Sequence, residues 1–227
     1  MKKLAICSLS AALFAAPLNA AWATGGTLFG SPDRPTVAGE LGYSGLPRAS
    51  YLYPFSPQFS IGGEFILDLG LFYRITDSVP GTVTLAAGAP IKLVLSEKNK
   101  IVIGTEFTPG IGIGIDTGGV SFDFDEGGTT VNQDESFALL LHSGVHVGYK
   151  ADPQLIVGGG VEIPLTIYFS SVTFAVVPIL FGPMVEYEVL ENLAITGDLK
   201  LGPHIGVGDF GNTGFGFKFQ AGVAYAL

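Results

Sequence analysis

The sequence predicts an all-β fold, a closed antiparallel transmembrane β-barrel, on three observations. Apolar residues alternate with small or polar residues from about position 58 onward, which is the two-residue period of β-strands. The chain is apolar, with a mean hydropathy of +0.48, and its 33 glycines disfavour helices. The longest later apolar run, residues 172–185, contains two prolines and is too short for a membrane helix. This combination is typical of membrane strands.

Residues 1–23 have the layout of a secretory signal peptide. Two lysines precede an apolar stretch, and Ala21-Trp22-Ala23 forms a small-residue cleavage site, with Leu18-Asn19-Ala20 as a second option. The single cysteine, Cys7, lies inside this segment, so the mature chain would hold no disulfide or thiolate metal site. Removal of the two lysines leaves 9 bases against 20 acids, and the net charge changes from −9 to −11. This charge argues against nucleic acid as a partner.

The alternation predicts eight strands, separated by short polar or proline-containing breaks. A ten-stranded barrel is the alternative, because Val37 to Tyr43 also alternates weakly. The eight predicted strands are 58–75, 82–96, 100–116, 135–150, 154–169, 172–189, 193–206 and 213–227.

The two faces of these strands differ in a way that predicts which one meets lipid. Odd-numbered positions form a nearly continuous apolar band, whereas even-numbered positions are too rich in glycine and alanine for a solvated surface. We therefore expect the even face to line the lumen. The ionisable residues on that face, our predicted lumen-lining set, are Glu64, Asp68, Arg74, Lys92, Glu106, His142, His146, Glu162, Glu186, Glu188, Asp198, Lys200, His204 and Lys218.

The C-terminal residues resemble the targeting signal of outer-membrane barrels of Gram-negative bacteria. Gln220 is followed two positions later by Gly222, and hydrophobic residues follow at Tyr225 and Leu227. Leu227 departs from the commonest form, which ends in Phe or Trp. With the signal peptide, residues 58–227 resemble the small outer-membrane barrel superfamily that includes OmpA-like and opacity-type proteins. The resemblance implies an outer-membrane location, contact with outer-membrane lipid and insertion by the barrel-assembly machinery.

Loop lengths predict the orientation, because such barrels keep short turns in the periplasm and long loops outside. The turns at 97–99, 151–153 and 190–192 would be periplasmic, and the loop 117–134 would be external. Strand parity then requires residues 24–57 to supply no barrel strand or two. We expect none, with 24–57 forming a periplasmic or plugging arm. Aromatic residues would mark both interfaces: Phe59, Tyr149, Tyr187 and Tyr225 at the periplasmic end, and Tyr73, Phe169 and Phe215 at the outer end.

Two features of the external half leave alternatives open. The acidic loop holds Asp116, Asp123, Asp125, Glu126, Asp134 and Glu135 without a base, which is typical of a solvated surface loop, with calcium binding as the alternative. The strand 172–189 is apolar on its even face as well, at Val172, Phe174 and Val176. These residues would either fill the lumen near its outer mouth or belong to a hairpin that extends beyond the membrane to a partner.

The leading functional prediction is a structural or surface-interaction barrel with a largely packed lumen, since acids and bases inside a narrow barrel pair with each other. The alternatives are a narrow ion or small-solute channel and a barrel subunit that contacts other envelope proteins. His142 and His146 could titrate as a gate. They lie about 13 Å apart on a strand, which argues against a shared metal ion. No Gly-x-Ser-x-Gly occurs. We therefore expect no enzyme, no catalytic residue, no cofactor and no metal.

Overall fold

Twelve strand segments account for nearly all of the described chain, as the continuous two-residue alternation predicts. The structure, a computed structural model, describes residues 29, 32–43, 47–68, 82–116, 136–169, 173–208 and 213–227. Within these ranges no helix has the length and apolarity needed to cross a bilayer. The strands are β1 (Thr36–Tyr43), β2 (Arg48–Ser56), β3 (Phe59–Asp68), β4 (Thr82–Gly88), β5 (Ile91–Lys98), β6 (Ile101–Asp116), β7 (Ser136–Asp152), β8 (Leu155–Phe169), β9 (Thr173–Pro178), β10 (Leu180–Leu190), β11 (Leu193–Gly208) and β12 (Thr213–Ala226).

The twelve segments fill ten positions of one closed antiparallel barrel. Strands β4 and β5 both lie between β3 and β6, and β9 and β10 both lie between β8 and β11. A proline lies at each interruption, because Pro90 directly precedes β5 and Pro178 ends β9, and neither can donate a backbone hydrogen bond. Hydrogen bonds to the neighbouring strands continue at both gaps, for example from Gly62 N to Pro90 O at 2.9 Å and from Ile179 N to Pro203 O at 2.8 Å.

The barrel closes by pairing its first strand with its last. β1 and β12 run antiparallel from Thr36 opposite Ala226 to Tyr43 opposite Phe219. The prediction of eight strands is therefore wrong, and the ten-stranded alternative is correct. The two additional strands, β1 and β2, come from residues 24–57, which we had predicted to be an arm. Parity allowed two strands there, but both are short, and Gly39 interrupts the apolar odd face that would have identified β1.

The side chains of the barrel alternate between a buried inner face and an exposed apolar outer face, as predicted. Glu162 is 3% exposed, whereas its neighbour Val161 is 46% exposed. Ile111 and Ile113 are likewise exposed on either side of the buried Gly112. The same parity holds in β1 and β2, where Thr36 and Leu52 are buried inside. The outer surface is therefore hydrophobic, and charged side chains are buried in the interior, which is the reverse of a water-soluble protein.

Short turns gather at one rim of the barrel, which we call the turn rim. Two-residue turns at 57–58, 99–100, 153–154 and 191–192 join β2 to β3, β5 to β6, β7 to β8 and β10 to β11. The last three lie within two residues of the predicted turns. The connections 44–46, 69–81, 117–135, 170–172 and 209–212 leave from the opposite rim and lie outside the described residues.

Aromatic side chains stand on the outer face near both rims. Tyr149 and Tyr187 are exposed close to the turn rim, and Phe169 and Phe215 are exposed near the opposite rim. Near the turn rim, the β2–β3 hairpin adds Tyr53, Phe55 and Phe59, whose rings contact each other in sequence at centroid distances of 5.3 and 5.7 Å. Two aromatic rows at the ends of an apolar band are typical of a barrel that spans a bilayer.

Candidate functional site: the charged lumen

The lumen contains three layers, and apolar side chains form the two that flank its centre. Toward the turn rim, Phe29, Val102, Ile156 and Met184 form a buried cluster with Val94 packed against it. Phe29 reaches this position because Gly148 and Gly158 leave room, as a Cβ on either residue would lie 2.8 Å from the ring. Phe29, which precedes β1 in the chain, therefore lies inside the barrel and fills part of this end.

The second apolar layer lies toward the opposite rim. Ala138, Tyr168, Phe174, Val176 and Leu180 form a buried cluster. The rings of Tyr168 and Phe174 stack at 4.8 Å, and the Tyr168 hydroxyl lies 3.5 Å from that of Thr84. Of the two alternatives left open by the apolar even face of strand 172–189, Phe174 and Val176 support the first, because they fill the lumen. Val172 lies outside the described residues.

A network of ion pairs occupies the lumen between these layers, with Glu162 of β8 at its centre. The ammonium of Lys200 contacts Glu162 Oε1, and that of Lys218 donates to Oε2 at 2.8 Å. Both lysines also contact Asp198 Oδ2, at 2.6 and 3.3 Å. Three strands, β8, β11 and β12, thus bring together two acids and two bases whose side chains are almost fully buried.

A second part of the network surrounds Glu106 and Glu64. Lys92 Nζ lies 3.1 Å from Glu106 Oε2, between the neighbouring strands β5 and β6. Arg48 donates through Nε to Glu64 at 2.7 Å, and its other nitrogens lie 2.5 Å from Glu64 and 3.6 Å from Glu40. Such pairing is what a low-dielectric interior requires, because an unpaired buried charge is strongly unfavourable.

Two histidines of β7 face the same carboxylates. His142 Nε2 lies 3.5 Å from both Glu106 Oε1 and Glu162 Oε2, and His146 Nε2 lies 3.6 Å from Glu162 Oε1. Neither nitrogen has a hydrogen-bond partner among the described residues. Glu106, His146 and Glu162 are buried, and each offers a potential metal ligand atom within 4.8 Å of the others. The spacing of about 13 Å between the two histidines along the strand therefore does not predict the positions of their ring nitrogens, which both approach the carboxylate of Glu162.

The remaining members of the predicted lumen-lining set are placed as follows. Glu186, Glu188 and His204 are also buried on the inner face. The backbone of Asp68 ends β3. The side chain of Asp68 lies outside the described part of the structure, as do Arg74, the predicted signal peptide and the acidic loop 117–134.

Sequence reasoning missed Glu40, Arg48 and Phe29 because it treated residues 24–57 as an arm. The even numbering of Glu40 and Arg48 was the available signal, since it places both on the lumen parity of the later strands.

The four predicted targeting residues lie in and just after the closing strand. Gln220 is buried in the lumen, Gly222 faces Thr196 of β11, and Tyr225 pairs with Val37 of β1. Leu227 follows β12, and its backbone N donates to Pro35 O at 2.8 Å. The C-terminal segment therefore forms one side of the seam that closes the barrel. Its recognition by the assembly machinery stays a prediction.

The network leaves little free volume. A cavity of about 30 Å³ lies beside it. Charged side chains of β1, β2, β5, β6, β8, β11 and β12 line this cavity: Glu40, Arg48, Lys92, Glu106, Glu162, Asp198 and Lys218.

A closed barrel with an apolar outside and a charged inside defines the class: an integral membrane β-barrel. No protein-family profile and no curated protein sequence matches the chain. Among solved structures, it is similar to the outer membrane protease OmpT from Escherichia coli, with 12% identity and a TM-score of 0.39 over 89% of this chain and 99% of that one. It is also similar to the KdgM porin, alone and in complex with disordered oligogalacturonate, with 11% identity over 85% of this chain and 98% of those chains and TM-scores of 0.36 and 0.35.

Proposed function

We propose that this chain is an outer-membrane β-barrel with a closed lumen, and that its role is structural or directed at the cell surface. The apolar outer band and the buried polar interior support insertion in a bilayer by means of strands. Contact with outer-membrane lipid through this band belongs to the same proposal, as does insertion by the barrel-assembly machinery.

The observation that carries the closed lumen is the ion-pair network around Glu162. A conducting path needs continuous water, and the cavity beside the network has a volume of only about 30 Å³. The stacked rings of Tyr168 and Phe174 narrow the lumen on one side of the network, and Phe29 narrows it on the other. The predicted channel is the second candidate function. The charged residues of the lumen favour it, but their ion pairs would first have to separate.

The decisive measurement is single-channel conductance of the purified barrel in planar bilayers. We expect no discrete current steps from 0.1 to 1 M KCl. The same preparation must be shown to be folded, by its resistance to unfolding in a denaturing detergent. The KdgM porin, reconstituted in parallel, is the positive control for insertion. Reproducible steps that grow with salt would overturn the closed lumen and favour the channel. The first charges to neutralise would then be Glu106, Glu162, Asp198 and Lys200.

A further inference from the structure

Two histidine nitrogens in the lumen lack hydrogen-bond partners within the described part of the chain, at a place where two carboxylates converge. His146 is 3% exposed, and its Nε2 has no hydrogen-bond partner among those residues although it faces Glu162 Oε1 at 3.6 Å. His142 Nε2 is in the same situation at 3.5 Å from Glu106 and from Glu162. Nitrogen–oxygen hydrogen bonds are shorter, at about 2.7–3.2 Å, so these contacts are not hydrogen bonds.

The spacing fits a different geometry. Two ligand atoms that each bind one ion at about 2.0–2.2 Å, at a tetrahedral angle, lie about 3.3–3.6 Å apart. The three histidine–carboxylate distances of 3.5, 3.5 and 3.6 Å fall within this range. The ligand atoms of Glu106, His146 and Glu162 all lie within 4.8 Å of one another, so small side-chain movements would bring all three onto one ion.

The neighbouring lysines do not occupy the whole of each carboxylate. Lys92 approaches Glu106 at Oε2, and Oε1 of the same group faces His142. Each oxygen of Glu162 contacts one lysine and one histidine, and a carboxylate oxygen has two lone pairs. Metal-binding carboxylates are commonly held in place by further hydrogen bonds, which is the position that these lysines occupy.

The charge of the network also favours a cation. Among the described residues, the ion pairs of the network that are given above join the four bases Arg48, Lys92, Lys200 and Lys218 to the five acids Glu40, Glu64, Glu106, Glu162 and Asp198. In this set of ion pairs, the acids therefore outnumber the bases by one. Imidazole and carboxylate ligands together suit divalent transition metals better than alkali or alkaline-earth ions.

We propose that the lumen binds one divalent transition-metal ion through Glu106, His146 and Glu162, with His142 as the fourth ligand. Zn²⁺ suits this set because it accepts two imidazoles and two carboxylates in a tetrahedral arrangement. The site lies inside the membrane-spanning part of the barrel and joins β6, β7 and β8. The ion would therefore act as a structural crosslink in the lumen wall.

The test uses the full barrel as isolated from membranes. The barrel is unfolded in urea with a chelator and refolded in detergent with Zn²⁺. Refolding is needed because the two apolar layers flank the site and would hinder the entry of an ion into the folded barrel. After desalting, elemental analysis should give one Zn²⁺ per barrel for the wild type. His146→Ala should weaken Zn²⁺ binding by more than about tenfold in a competition titration. Substitution by Co²⁺ should give a tetrahedral visible spectrum that His146→Ala abolishes.

The matched control is His204→Ala, which removes another buried lumen histidine that does not belong to the proposed ligand set. This variant should keep one Zn²⁺ per barrel, and circular dichroism should show that both variants fold. Either of two results overturns the proposal: refolded wild type that retains no Zn²⁺, or equal retention by His146→Ala, which indicates adventitious surface binding.

Discussion

At the scale of single residues, the lumen depends on charge pairing around Glu162. Lys200 is fully buried and contacts both Glu162 and Asp198. Removing one partner of a buried pair leaves an uncompensated charge, and this costs about 3–5 kcal/mol. We therefore expect Lys200→Met, which keeps the length of the side chain, to lower the free energy of unfolding by about that amount. Equilibrium urea unfolding in lipid vesicles, followed by circular dichroism, measures it.

The matched control for this prediction is Lys150→Met. Lys150 pairs with Glu97 at 2.5 Å near the turn rim, where both side chains are partly exposed. Exposed pairs contribute about 0–1 kcal/mol, so this variant should unfold almost like the wild type. If Lys200→Met were as stable as Lys150→Met, the network would not hold the barrel together, and packing alone would account for its stability.

The sequence allowed the inner-face residues to be chosen but not their contacts. Parity along each strand was enough to select Glu106, His146, Glu162 and Lys200, because a closed barrel leaves only two faces. It could not show that His142 and His146 approach one carboxylate. That approach depends on χ angles and on Glu162 of the adjacent strand, and pairing between strands is not contained in the pattern of either strand.

At the scale of elements, the β5–β6 turn places two residues in the left-handed backbone conformation, and only the first of them, Asn99, is suited to it. Asn99 and Lys100 have φ values of 52° and 70°, as a two-residue type I′ turn requires. Asn tolerates this conformation, whereas Lys is strained in it. We expect Lys100→Gly to raise the free energy of unfolding by about 0.5–1 kcal/mol, since glycine removes the strain but has greater freedom in the unfolded chain.

The same urea experiment tests the turn, with Lys98→Gly as the control of opposite sign. Lys98 lies in β5 and pairs with Ile101, so a glycine there should lower stability. A destabilised Lys100→Gly variant would mean that the Lys100 side chain makes a favourable contact that outweighs its backbone strain.

Long strands, in which the alternation is sustained, were predicted well, and the two short strands at the start of the barrel were not. The predicted strand 100–116 differs from β6 by one residue at its start. In contrast, β1 and β2 have only eight and nine residues, and Gly39 interrupts the apolar odd face of β1, so both were assigned to an arm. The hydrogen-bonded pairing of β1 with β12 and of β2 with β3 places both segments in the barrel, and their own sequence patterns do not show this pairing. Local sequence does not report such long-range pairing.

At the scale of the whole molecule, polarity is reversed relative to a soluble protein, and this predicts how outward substitutions behave. Val161 is 46% exposed near the middle of β8, and Val189 is 40% exposed two residues before a turn. An arginine at the bilayer midplane costs about 2–4 kcal/mol, and one near the interface about 0–1 kcal/mol. We expect Val161→Arg to destabilise the barrel in vesicles by the larger amount and Val189→Arg by the smaller.

Unfolding measured both in vesicles and in a short-chain detergent shows whether the loss of stability comes from burying the arginine in the bilayer or from another cause. The difference between the two variants should shrink in detergent micelles, which provide a thinner apolar layer. Equal effects of both substitutions in vesicles would mean that Val161 does not face the bilayer core.

The seam between β1 and β12 has a consequence for the order of folding. The strand translated first must wait for the strand translated last, because its outer edge pairs only with β12. The ion pairs of the lumen also depend on strands that are translated late. Glu162 precedes Lys200 and Lys218 in the chain, so the two lysines that neutralise its charge are translated after it. A half-inserted sheet would expose unmatched acids to lipid, and contacts between such distant residues form slowly. Entry into the membrane and closure of the ring should therefore occur as one concerted event.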